Sequence, residues 1–183
     1  EEERFTRRKN AFGQAPHNAI AFCLDKAGVS VDEVDSVAVG WDFNRVFQNI
    51  GRRGTTEKEL VDLYLPSDRF KYFRAPNLEM VPHHLAHAAS AHFLSGFRDS
   101  LIFVIDGQGE TQSTTIYSAN GSNISPIREY PVKDSLGYFY EAISEFIGLS
   151  RLDAGKTMGL AGYGDPIHRF DLIALDSSGY SVN

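Results

Sequence analysis

An α/β chain in two lobes is what the residue pattern predicts, and three observations predict it. Apolar residues recur at helical spacing around residues 15–27, 57–64 and 135–147, and short apolar or alternating runs at 34–39, 101–106, 113–119 and 124–130 read as strands. The order helix, strand, helix, then three strands and a helix suits two lobes, 1–97 and 98–183, that meet near Ser95 to Asp99.

The first helix carries Ala19, Ile20, Phe22, Cys23, Leu24 and Ala27 and closes at Gly28, a residue that accepts the left-handed turn ending a helix. Val34 to Val39 alternates and stops at Gly40-Trp41, so it reads as a buried strand. Asn44 to Thr56 is polar and rich in arginine and glycine and reads as a loop. Thr55 or Thr56 caps a helix over Glu57 to Tyr64, stopped by Leu65-Pro66. Asn77 to Val81 is extended ahead of Pro82, and His83 opens a helix that runs to about Ser95 and ends at Gly96. Beyond Asp99, three strands separated by Gly107-Gln108-Gly109 and Asn120-Gly121-Ser122-Asn123 form an antiparallel meander, followed by a helix from Ser135 to Ile147.

With 18 basic and 24 acidic residues the net charge is −6, which argues against a nucleic-acid surface, although Arg7-Arg8-Lys9 and Arg52-Arg53 are local basic spots. The one cysteine, Cys23, sits in an apolar helical stretch and reads as a buried, inert thiol, so no disulfide framework is expected. No apolar run reaches the ~18 residues that cross a bilayer. A reducing, cytoplasmic setting follows, with small molecules as partners, neither nucleic acid nor membrane, and a homo-oligomer left open. The chain opens on charged residues without an initiator methionine, which reads as a piece of something longer.

The chemistry concentrates in two segments. His83 and His87 are one helical turn apart, so both imidazoles point from one face and can converge on a cation. Asp106 ends an apolar strand and is followed by Gly107, Gln108, Gly109 and Glu110; two imidazoles and a carboxylate suit a transition metal, and the glycines admit a phosphoryl group. His84, turned about 100° from this face, reads as a contact behind the ligands or with substrate. An ordinary hairpin turn is the alternative for Asp106-Gly107, and a solvated helix start for the histidines. Gly155, Lys156, Gly159, Gly162 and Gly164 form a second glycine-rich segment. It lacks the spacing of a Walker loop, and its glycines read as close backbone approach to a ligand. His17, His92 and His168 have no partner pattern and read as solvated or core. Glu1 to Lys9 passes for a charged, solvated arm with Phe5 as its apolar anchor.

Four blocks carry a family resemblance: Glu1-Glu2-Glu3-Arg4-Phe5-Thr6-Arg7-x-Lys9, His83-His84-Leu85-Ala86-His87-Ala88-Ala89-Ser90-Ala91, Asp106-Gly107-x-Gly109-Glu110, and Asp153-Ala154-Gly155-Lys156-Thr157-Met158-Gly159-Leu160-Ala161-x-Tyr163-Gly164. In that order they resemble the O-carbamoyltransferases of the nodulation-protein and cephem type (NodU/CmcH). The resemblance implies the actin-like, heat-shock-ATPase-like (ribonuclease H-like) two-lobe fold, truncated at both ends. It implies a metal, Fe²⁺ before Zn²⁺ or Mn²⁺, held by His83, His87 and Asp106. A nucleotide would lie by Gly107, Gly109, Glu110, Gly155, Lys156 and Gly159. The implied reaction joins carbamoyl phosphate and ATP to carbamoyl-adenylate and passes the carbamoyl group to a hydroxyl of a sugar or antibiotic-like acceptor. His84 would take the alcohol proton and Lys9 would meet the phosphate or carbonyl. Against the family pattern, the opening strands, a later aspartate of the metal shell and the carbamoyl-phosphate-activating domain are missing, and Asn10 stands where histidine is common, so the chain is expected to be a partial catalytic domain, inactive alone. Two further readings remain: a non-catalytic metal- or nucleotide-binding module, and a sugar-kinase-like ATPase, against which the histidine pair argues.

Overall fold

The computed structural model describes residues 1–167 and 171–182, so His168 lies outside the described residues. The chain forms two compact units, Glu1–Val81 and Pro82–Asn183.

The first unit contains helices α1 (Glu3–Thr6) and α2 (His17–Ala27), strand β1 (Ser36–Val39), helices α3 (Phe43–Asn49) and α4 (Glu57–Tyr64), and strand β2 (Asn77–Met80). β1 and β2 run parallel, from Ser36 opposite Asn77 to Val39 opposite Met80. A parallel pair needs a crossover, here built from α3 and α4. The stretch read as a loop from Asn44 therefore begins with a helix. Asp42 caps it by accepting from the Asn44 and Arg45 N–H groups. Phe43, Val46 and Phe47 have helical spacing, which the glycines and arginines at 51–54 obscure. Thr56 and Glu59 form a reciprocal capping box on α4. The Arg53 guanidinium beside Glu59, together with the Thr56 backbone and hydroxyl donors, holds the Glu59 carboxyl at about 2. Val31, Leu65 and Phe70 form the core, with Ile20 and Leu24 of α2 against it.

Two expectations for this unit are corrected. Cys23 is exposed, because the partly buried stripe by which α2 meets the core runs through Ile20 and Leu24. The amino-terminal segment is no solvated arm: Glu2 is buried, and its carboxylate accepts from the Asn18 and Ala19 N–H groups at the start of α2. Burial pushes the Glu2 carboxyl up, but these donors and the Asn18 amide more than offset it and hold it below the usual range.

The second unit contains helix α5 (His83–Ser95), strands β3 (Asp99–Ile105), β4 (Gln112–Asn120) and β5 (Asn123–Pro131), helices α6 (Leu136–Phe146) and α7 (Ala154–Ala161), and the hairpin β6 (Ile173–Asp176) and β7 (Gly179–Val182). The meander is present, antiparallel in the order β3-β4-β5. α5 lies on it, with Ala88, Ile102, Val104, Tyr117 and Ala119 as the core; each large apolar side chain buried there stabilises the unit by roughly 1.5–3 kcal/mol. The stripe α5 buries is His84, Ala88 and His92. Each histidine is accepted into the core by a polar partner: His84 Nδ1 lies 2.8 Å from Thr115 Oγ1, and His92 bonds the Ser100 hydroxyl at 2.8 Å and the Gly121 carbonyl at 2.7 Å. Of the two roles left open, solvated or core, His92 takes the core one, while His17 is hydrogen-bonded to the Leu63 carbonyl at 2.7 Å. No described helix is long and apolar enough to cross a membrane.

Candidate metal centre

Pro82 has no N–H to lose and sets the extended entry into α5. Pro82 supplies no side-chain cap to the start of this helix. Instead Glu110 reaches across from the β3–β4 turn, and its Oε1 accepts from the His83 N–H at 2.8 Å. A carboxylate at a helix N-terminus also meets the positive end of the helix dipole. With the His84 stripe facing the sheet, His83 and His87 are rotated toward the turn itself.

There they meet Asp106. His83 Nε2 stands 2.9 Å and His87 Nε2 3.5 Å from Asp106 Oδ2, and the two Nε2 atoms are 3.1 Å apart. Among the described residues these three form the grouping suited to a metal ion, with one ligand atom from each inside a 4.8 Å span. Ligand atoms bonded at about 2.0–2.2 Å to one ion stand roughly 3.0–3.5 Å from each other, so the triad has the spacing of one face of a coordination polyhedron and fits a cation. His87 is half exposed and Asp106 about a third, which leaves the opposite face open to further ligands.

Asp106 is fixed so that one oxygen stays available. Its N–H donates to the Ser113 carbonyl at 2.9 Å, and Oδ1 accepts from the Gly107 N–H at 2.6 Å, which leaves Oδ2 for the imidazoles. The first turn of α6 clamps the same peptide: Ser135 Oγ donates to the Gly107 carbonyl at 2.7 Å and accepts from the Tyr138 N–H at 3.0 Å. A Cβ on Gly137 would stand 2.5 Å from Gly107 N and 2.7 Å from the Asp106 carbonyl carbon. Neither Gly107 nor Gly109 has a positive φ, so the type I′ hairpin turn that Asp-Gly suggests is not formed. Close approach accounts for both: a Cβ on Gly107 would meet the Tyr138 ring at 3.2 Å, and one on Gly109 would meet the His84 ring at 2.9 Å. Tyr138 also donates to Gln108 Oε1 at 2.6 Å.

His84 itself is completely buried and does not face the open side of the triad. Burial lowers its pKa, with the Asp106 carboxylate opposing. Gly155, Lys156 and Gly159, the glycine-rich segment read as approaching a ligand, lie on the helix α7. Among the described residues, and apart from chain neighbours and the helix's own backbone, no atom comes within 4 Å of a Cβ placed on Gly155 or Gly159, and Lys156 Nζ pairs with Asp153 at 2.9 Å. Lys9 opens a short 3-10 turn in the first unit and is exposed. The clamping residues Ser113, Thr115, Ser135 and Gly137 escaped the sequence reading; a glycine in the first turn of an otherwise apolar helix was the available signal for one of them.

The description Carbamoyltransferase N-terminus matches residues 43–177. The chain belongs to the carbamoyltransferase family. Among its relatives, the nodulation protein NolNO of Sinorhizobium fredii is 33% identical over 202 residues, covering 100% of the chain and 29% of the relative. The nodulation protein NolO of Bradyrhizobium diazoefficiens is 42% identical over 106 residues, 55% of the chain and 19% of the relative. An uncharacterized protein of Synechocystis is 31% identical, with 91% of the chain and 31% of the relative covered. The chain thus spans less than a third of the length of these relatives. The matched region contains the triad and α7, and begins after Lys9.

Proposed function

We propose that this chain is the metal- and donor-gripping part of an ATP-dependent O-carbamoyltransferase. The donor is carbamoyl-adenylate, made from carbamoyl phosphate and ATP, and the acceptor is a hydroxyl of a sugar or antibiotic-like molecule. The observation that carries the reading is the convergence of His83, His87 and Asp106 to separations of 2.9–3.5 Å in a chain of this family. Two imidazoles and one carboxylate on a single face, with the other side open, favour Fe²⁺, with Zn²⁺ or Mn²⁺ as substitutes. When bound, the ion supplies positive charge against the adenylate phosphate and the carbamoyl oxygen. The acceptor oxygen forms the new bond to the carbamoyl carbon as the bond to the AMP oxygen breaks, and the alcohol proton leaves to a base or to water.

Within the chain, Asp106 and the two imidazoles fix the cation, and Gly107 and Gly109 keep side-chain bulk out of the turn beside it. The open face of α7 at Gly155, Lys156 and Gly159 is where a nucleotide would lie in this reading, and the two-lobe actin-like fold is the architecture into which the units would fit. A non-catalytic binding module is the second reading, favoured by the complete burial of His84, the residue expected to take the alcohol proton. Calorimetry with Fe²⁺ under anaerobic conditions, and with AMP, tests binding: one equivalent of metal is expected, lost in His83→Ala and Asp106→Ala and kept in His17→Ala. Undiminished metal binding in the first two variants overturns the site. Turnover of ATP and carbamoyl phosphate by the full-length protein, measured as AMP released and carbamoylated alcohol formed, separates enzyme from module.

A further inference from the structure

We infer that His84 is a positioning residue of the metal centre: its ring, held at Nδ1 by the Thr115 hydroxyl, sets the Gly107 to Glu110 turn and thereby the place of Asp106 Oδ2 relative to His83 and His87. The inference rests on the metal reading above. His84 is completely buried, and its Nδ1 is 2.8 Å from Thr115 Oγ1 on the central strand β4. The far side of the ring carries Cδ2 and Nε2, and a Cβ on Gly109 would stand 2.9 Å and 3.0 Å from these atoms. The turn therefore rests directly on the imidazole, and only glycine permits it.

Two successive turn residues are tied to two successive helix residues. Gly109 lies on the His84 ring, and Glu110 Oε1 accepts from the His83 N–H at 2.8 Å. Gly109 N–H closes the turn by donating to the Gln112 carbonyl at 2.7 Å. Asp106 opens that turn, so a shift of its floor is passed to the carboxylate through Gly107 and Gln108. A side chain that merely filled space would do so more cheaply as an aliphatic group, because His84 Nε2 is buried with no hydrogen-bond partner among the described residues. Thr115 is likewise completely buried, so the rotamer of the ring is fixed from β4. The Thr115 hydroxyl thus holds one side of the His84 ring and the turn backbone rests on the other, and His84 acts on the centre without touching the ion or a substrate.

Cobalt titration of the 183-residue chain, followed by the visible d–d bands and accompanied by circular-dichroism melts, tests the inference. His84→Ala and Thr115→Val are expected to weaken Co²⁺ binding about tenfold or more and to alter the bands at temperatures where the chain is folded. His84→Asn, whose amide can reach Thr115 in place of Nδ1, should restore much of both. Gly109→Ala should weaken binding in the otherwise unchanged chain and add little to His84→Ala. If His84→Ala does not fold, Thr115→Val and His84→Asn decide the matter. Unchanged affinity and bands in Thr115→Val and the foldable His84 variants overturn the inference while leaving the metal reading intact. No cobalt binding by the unchanged chain overturns both.

Discussion

Gly137 and Gly107 touch through their backbones: the Cβ that Gly137 lacks would stand 2.5 Å from the Gly107 nitrogen. The first turn of α6 is thereby seated on the peptide that carries the Asp106 carboxylate. Because both sides of the contact are main chain, an added methyl has no flexible neighbour to displace. Gly137→Ala is expected to cost about 1–3 kcal/mol and to weaken metal binding, read as a lower denaturation midpoint together with a weaker cobalt titration. Equal stability and equal affinity would show that α6 does not set this peptide.

A ligand that binds only the folded state raises stability by RT ln(1 + [L]/Kd), about 2.7 kcal/mol at a hundredfold excess over Kd. Added Co²⁺ or Fe²⁺ is therefore expected to raise the melting temperature of the chain, with reversal by chelator. His87→Ala should melt at the same temperature with and without metal.

His92 is almost completely buried, and both its ring nitrogens are bonded, to the Ser100 hydroxyl and the Gly121 carbonyl. His92→Ala leaves a cavity and two unmatched polar groups, and a loss of about 2–4 kcal/mol is expected by urea unfolding. A loss under 1 kcal/mol would mean that water takes over both bonds.

The Glu59 carboxyl is held at about 2, against 4.5 for an ordinary glutamate, by Arg53 and the Thr56 donors. A depressed carboxylate contributes stability that is fully present above its unfolded pKa and disappears as pH falls through the folded value. The difference in melting temperature between the unchanged chain and Glu59→Gln is accordingly expected to be constant above about pH 5 and to shrink between there and pH 2. Exposure of the pair keeps the effect small and sensitive to salt.

Cys23 is exposed at the surface of α2. One equivalent of thiol should react with Ellman's reagent in the native chain without denaturant. Reaction only after unfolding would mean that the residue is covered in solution.

Much of the second unit was legible because local signals and tertiary needs agree there. Gly96, Gly121 and the apolar run of β3 mark the same elements in sequence and structure, and the spacing of His83 and His87 with a strand-end Asp106 led to the triad. What stayed hidden is contact between residues distant along the chain. Nothing near Glu110 announces that it caps α5, and nothing near Ser135 or Gly137 announces the peptide they hold, since such pairings exist only after the sheet has formed. Cys23 misled because an apolar stretch of helix has an outer face too, and α3 was missed because arginines and glycines after it outweighed the Asp42 cap before it.

The route by which Asp106 is immobilised also has a timing. Its imidazole partners precede it in the chain, but the hydroxyl of Ser135 and the bare backbone of Gly137 follow it, and the strand pairing with Ser113 must come between. The carboxylate is thus the group of the three whose supports lie furthest along the chain, and its hold is complete only with α6 in place. An ion that requires all three would therefore be gripped only after α6 has docked, and the histidine pair of α5 would not hold it alone.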